Sequence, residues 1–171
     1  MDKIVKATFK DAKLLSKLGI DSFLTAHGHS APKKDIENYL ANNLTENNFT
    51  SELKDIRNEF YLLYVDNKLA GYSKIVFNKT NINIPAHNVT NLSRLYLLKE
   101  YYGLGLGKIL FDFNIQLCKE NKQSGIWLAV WVENQNAIKF YHKTGLKKVG
   151  NFDFKISETH SNPNHIMYLE F

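Results

Sequence analysis

The feature that most constrains this chain is a strand, a glycine-rich turn and a helix in close succession. Val89 to Leu98 reads as a strand, glycines follow at 103, 105 and 107, and Ile109, Leu110, Phe113, Leu117 and Cys118 then recur with helical period. Successive backbone N–H groups in such a turn converge on one concavity, and the helix behind them adds the positive end of its dipole. Only glycine lets the main chain approach an anion that closely or take positive φ without strain. The unit predicts an α/β protein with a seat for a phosphate-rich ligand.

Spacing excludes two common owners of such turns. The dinucleotide fingerprint needs a glycine at the sixth position from Gly103, where Lys108 stands. A Walker loop needs Ser or Thr after Gly107-Lys108, but Ile109 follows, and nothing there would hold magnesium.

The elements around the turn read as a mixed sheet with helices. Val5, Ala7 and Phe9 alternate as a first strand, and Thr8 with Asp11 forms a capping box ahead of Leu14, Leu15 and Leu18 at helical spacing. Ile36, Tyr39, Leu40 and Leu44 predict a short helix after Pro32, the Asn-rich stretch 41–50 reads as a loop, and Leu53 and Ile56 suggest a further turn after Thr50. Phe60 to Val65 and Leu69 to Phe77 form a hairpin joined at Asp66-Asn67, followed by a polar loop over 78–88. Gly125 opens a strand to Val132, Asn134 opens a helix through His142 that Gly145 closes, and strands 146–154 and 165–171 flank a polar loop over 157–164. With no repeat or linker in its 171 residues, the chain is expected to be one domain, 1–171.

The order strand, glycine turn, helix, strand, then Asn134-x-x-Ala137-x-x-Phe140-Tyr141-x-x-x-Gly145-Leu146, resembles the GNAT N-acetyltransferase superfamily. Gly105 and Gly107 match the family's Gln/Arg-x-x-Gly-x-Gly/Ala motif, with Tyr102 where Gln or Arg is usual. The runs Phe60 to Tyr64, Ala70-Gly71-Tyr72 and Ile126 to Trp131 are similar to the PaiA-type polyamine acetyltransferases. The resemblance implies a mostly antiparallel sheet of about seven strands, splayed at an acetyl-CoA cleft. It implies that Leu95, Tyr96 and Leu97 bind the pantetheine arm, that Tyr102, Gly103, Leu104, Gly105, Leu106, Gly107 and Lys108 wrap the pyrophosphate, and that Asn134 and Lys143 also contact the cofactor. Tyr141 would be the general acid beside the thioester sulfur, and residues 24–58 one wall of the acceptor site.

Acetyl transfer needs a neutral amine, an oriented thioester and a proton for the departing thiolate, and no metal. The expected acceptor is a small primary amine, first a polyamine such as spermidine or spermine, with amino acids and protein N-termini as alternatives. Ser93 stands where relatives often carry a glutamate, so no base is assigned; Glu133 and Glu59 are possible relays. A rival reading is a non-catalytic acyl-CoA-binding or regulatory module.

Other residues carry blander readings. Asn134 equally suits a helix N-cap. His27 and His29 lack a third ligand and read as exposed loop residues. Trp127 and Trp131 share one face of their strand, where sheet packing or the border of the cleft accounts for them. The single Cys118 lies in an apolar helical run, reads as a buried, inert thiol and suggests a reducing compartment. Net charge is +5, yet the lysines are scattered, so nucleic-acid binding is not expected. No signal-like start or apolar run of about 18 residues occurs, which points to the cytoplasm. The edges of the two C-terminal strands offer a route to a homodimer.

Overall fold

A computed structural model describes residues 2–171. Its centre is one seven-stranded sheet built from β1 (Lys3–Lys6), β2 (Asn58–Val65), β3 (Lys68–Val76), β4 (Val89–Leu97), β5 (Gly125–Trp131), β6 (Lys147–Lys155) and β7 (Ser161–Glu170). The order is β1-β2-β3-β4-β5-β7-β6, and every pairing is antiparallel except β4 with β5.

Five helices cover the two faces. On one lie α1 (Ala12–His27), α2 (Lys33–Asn43) and α3 (Glu46–Lys54), packed through Leu15, Leu18, Ile36 and Phe49 onto Phe60, Leu62 and Tyr72. On the other lie α4 (Leu106–Glu120) and α5 (Gln135–Lys143), whose Phe111, Cys118 and Tyr141 meet Tyr61, Ile75 and Leu128. The period-2 alternation of β2 sends Phe60 and Leu62 one way and Tyr61 and Leu63 the other. Each fully buried Leu or Phe contributes roughly 1.5–3 kcal/mol, so both faces are needed to hold the sheet.

Local chemistry explains most element ends. Thr8 and Asp11 form the expected capping box, but it caps a 3-10 turn over Phe9–Asp11, so β1 stops at Lys6 and Phe9 lies exposed. The Asn-rich stretch is not a loop. Thr45 and Asn48 satisfy each other's backbone N–H groups and start α3, leaving Thr50 mid-helix and Ile56 outside in solvent. Asp66 and Asn67 take φ of 47° and 63°, the left-handed pair that a two-residue hairpin requires. β7 begins at Ser161, four residues earlier than expected, with Pro163 paired opposite Asp153 of β6. β7 is flanked on both sides, so only β6 of the two C-terminal strands presents an open edge.

Candidate active site

The single parallel pairing opens the sheet. β4 and β5 run together only at Val89–Gly125, Thr90–Ile126 and Asn91–Trp127, and beyond that point β4 has no strand partner on its β5 side. The gap continues into a cleft of about 1590 Å³, walled by β4, β5, the end of α1, the glycine turn, α5 and β7.

At one end of this cleft sits the glycine turn. It follows a 3-10 turn at Lys99–Tyr101 rather than β4 directly. Gly103 and Gly105 both take φ of 77°, a conformation costly to any other residue, and a Cβ built on either meets no protein atom within 4 Å. The main chain thus borders open space at the N-terminus of α4, the geometry of an anion seat. Gly107 differs from expectation: it lies inside the first turn of α4 and not in the left-handed turn. Tyr102, Gly103, Gly105, Gly107 and Lys108 line the cleft. Leu104 is exposed and Leu106 is buried against Leu63, Ala70 and Leu110, so neither side chain faces it. Lys108 is tied to Asp112 one turn on.

Leu95, Tyr96 and Leu97, and across the gap Asn134, Tyr141 and Lys143, line the same cleft. Asn134 accepts the N–H of Ala137 at 3.2 Å, so its N-cap role is observed directly. Tyr141 is buried, with ring centroids 5.2 Å from Phe140 and 6.2 Å from Phe111. Burial, and then neighbouring Tyr96, push its phenol well above the ordinary value. It is therefore protonated at neutral pH, the state a general acid requires.

The α1 face of the cleft was less legible. His27 is not an exposed loop residue: it ends α1, half-buried, 5.7 Å from the Trp131 ring and 6.4 Å from Tyr96. Burial, then His29, lower its pKa to about 4, so it is a neutral imidazole near pH 7. His29 is exposed, as expected. Trp127 donates from Nε1 to the Lys79 carbonyl at 2.7 Å, and both tryptophans border the cleft. Below them, Arg94 and Lys74 both bond Glu52 of α3. Sequence reasoning missed Glu52 because 41–50 reads as loop and only a short turn is expected after Thr50, so the helix that carries Glu52 is not seen; the Thr45/Asn48 cap was the available signal.

Of the two carboxylates considered as relays, Glu133 lines the cleft. Glu59 does not; it is occupied by Lys6 and Tyr61 at the far side of the sheet. Ser93 is an exposed residue at a bulge in β4, where Lys74 opposes Arg94 but Ile75 opposes Leu92. Cys118 is buried, and burial raises its thiol to about 11. Among the described residues no group of three or more His, Cys, Asp or Glu could hold a metal, and no helix is long and apolar enough to cross a membrane.

Comparison with known proteins agrees with this geometry. Residues 23–146 match the model of the acetyltransferase (GNAT) family. A protein of Lactobacillus delbrueckii subsp. lactis described as an uncharacterised N-acetyltransferase is 30% identical over 156 residues, 91% of this chain and 90% of its own. An N-acetyltransferase of Mycobacterium bovis, likewise described, is 27% identical over 160 residues, 94% of this chain and 97% of its own. The PaiA N-acetyltransferase of Thermoplasma acidophilum, solved in complex with coenzyme A, superposes with a TM-score of 0.79 at 20% identity, covering 100% of this chain and 99% of that one. The chain belongs to the acetyltransferase (GNAT) family and is an acyltransferase.

Proposed function

We propose that this protein transfers the acetyl group of acetyl-CoA to a primary amine of a small molecule. The observation that carries the reading is the gap between β4 and β5, with a left-handed glycine turn at one end and a protonated, buried tyrosine on its wall. The open space above Gly103 and Gly105 suits a pyrophosphate, with backbone N–H groups of residues 102–108 and the cations of Lys108 and Lys143 as its partners. The unpaired edge of β4 over Leu95–Leu97 offers main-chain hydrogen bonds to an extended amide-bearing arm. Asn134, already a helix cap, borders the same groove.

In this reading the amine nitrogen attacks the thioester carbonyl, and a backbone N–H near Leu97 stabilises the oxyanion. The C–S bond then breaks, and the departing thiolate takes the proton of Tyr141. The ammonium proton leaves toward solvent, and Tyr141 recovers its own from water. Cys118 is too buried and too weakly acidic to form an acyl-enzyme, which favours direct transfer.

The sequence resemblance makes spermidine and spermine the first acceptors to try. A homodimer would form through the open edge of β6. The test is thiol release from acetyl-CoA across polyamines, amino acids and an N-terminal peptide, for the wild type and Tyr141→Phe. We expect turnover with one amine class and a fall in kcat of about 100-fold or more in the variant, at similar acetyl-CoA affinity. Acetyl-CoA binding without thiol release for any amine would establish a binding module instead.

A further inference from the structure

The α1 face of the cleft holds an unbalanced charge. Arg94 and Lys74 share one carboxylate: Arg94 donates from Nη1 and Nη2 to Glu52 at 3.0 and 2.9 Å, and Lys74 Nζ donates at 2.7 Å. Their side chains keep only 19%, 13% and 22% exposure for Arg94, Lys74 and Glu52. The remaining neighbours are rings, with the guanidinium 5.1 Å from the Phe49 centroid and 5.9 Å from that of Phe60. Ring faces relieve part of a buried cation's cost but bring no counter-charge. Among the described residues Glu52 is the one carboxylate that bonds these cations; Asp55 also feels the charge of Lys74 but is itself paired with Arg57. Burial, together with the charge of Arg94, holds Lys74 below the ordinary lysine value in spite of Glu52.

This excess charge faces the reaction path. Arg94 and Tyr96 lie two residues apart on one face of β4 and both line the cleft. Tyr96 feels the charge of Arg94, and Tyr141, across the gap, in turn feels Tyr96, so Arg94 and Tyr96 stand on the wall that faces Tyr141. The carboxylates that line the cleft, Asp112 and Glu133, lie on α4 and in the turn ahead of α5, away from Arg94, and Asp112 already pairs with Lys108. A polyamine held on this wall would set ammonium groups against Arg94 and Lys79, where the one bonded carboxylate, Glu52, is already shared by two cations.

We infer that the acceptor is a primary amine that also carries a carboxylate, seated against Arg94. Its apolar body lies among Phe23, Tyr96, Trp131 and Phe154. The inference rests on the acetyl-transfer reading and narrows its substrate. A carboxylate suits the guanidinium's planar donor set and supplies the missing negative charge. A free amino acid and a peptide with an acidic first residue present the same chemistry, and the test separates them.

The experiment compares kcat/KM for L-tyrosine against L-tyrosinamide, and for a Glu-Ala amide against a Gln-Ala amide, with spermidine alongside. The amide's amine is the less basic of the first pair, so a preference for tyrosine cannot come from a larger neutral fraction. At least a tenfold preference for the acid is expected in one pair; the first pair points to free amino acids, the second to peptide N-termini. Neither acid preferred, or spermidine the best acceptor, overturns the inference. A second readout needs no catalysis: 3-(4-hydroxyphenyl)propionate should quench tryptophan fluorescence saturably, its amide should not, and Arg94→Gln should abolish the quench. If no amine is acetylated but the propionate binds in this way, the acetyl-transfer reading fails and the carboxylate site stands. If the propionate does not bind the wild type, the site is refuted, whatever Arg94→Gln does to folding.

Discussion

Glu52→Gln tests the charge cluster through folding alone. The change removes the anion that receives three hydrogen bonds, at 2.7, 2.9 and 3.0 Å, while leaving two cations in place. Orphaning a fully buried ion costs about 3–5 kcal/mol. These side chains keep between 13% and 22% exposure, and the amide oxygen retains a bond, so we expect about 2–4 kcal/mol. In a chain of 171 residues that lowers Tm by on the order of 5–15 °C. The pH dependence has a definite sign. Lys74 already sits below its ordinary value through burial, and losing Glu52 lowers it further. The folded variant then binds fewer protons than the unfolded chain, so its stability rises with pH toward the unfolded lysine value of about 10.4. Urea titrations at pH 7 and pH 9.5, followed by tryptophan fluorescence, should show the variant's deficit narrowing at the higher pH. A deficit below about 1 kcal/mol at pH 7, or one that widens with pH, would refute the reasoning.

Three further outcomes follow from single sites. Gly105→Ala places a Cβ in open space at φ of 77°, so it should cost only about 1–2 kcal/mol of stability yet weaken acetyl-CoA binding about tenfold or more by calorimetry. Asn134→Ala removes the cap on the Ala137 N–H and should cost about 1 kcal/mol in urea titration, with lower acetyl-CoA affinity if the groove is used as proposed. His27 is depressed to about 4 in the folded protein, so its contribution is present above about 6.5 and is lost as pH falls toward 4. It is worth at most about 3 kcal/mol, and His27→Gln should flatten the stability profile over that window.

What was legible in the sequence was what local chemistry decides. The Asp66-Asn67 hairpin, the strand–turn–helix unit and the Asn134 cap each depend on a few adjacent residues, and all three stand in the structure. Where tertiary contacts decide, the reading slipped. Polar residues over 41–50 hide a helix because Phe49 supplies nearly all of its burial. Leu104 and Leu106 sit within a phosphate-type turn, yet one side chain is exposed and the other belongs to the core beneath it. His27 reads as loop because α1 runs to the residue before Gly28, farther than the leucines at 14, 15 and 18 reveal.

The bulge at Ser93 explains why the acceptor side was the hardest part to read. Strict alternation along β4 would put Leu92, Arg94 and Tyr96 on one face and Ser93, Leu95 and Leu97 on the other. Instead Leu92 packs in the same cluster as Leu95, beneath α4, while Tyr96 joins the cluster of α1 and α3. One extra residue changes the phase of the strand, and no periodicity rule reports where it falls. The consequence is a division of labour within a few residues. Leu95 and Leu97 seal the α4 face under the glycine turn, and Arg94 and Tyr96 are delivered to the opposite wall, within reach of Glu52 and His27. A strand in regular register would have carried Arg94 to the same face as Leu92, under α4, with no carboxylate from α3 to meet it. The same irregularity that sets Ser93 in the cleft wall therefore also creates the cationic patch on the acceptor side.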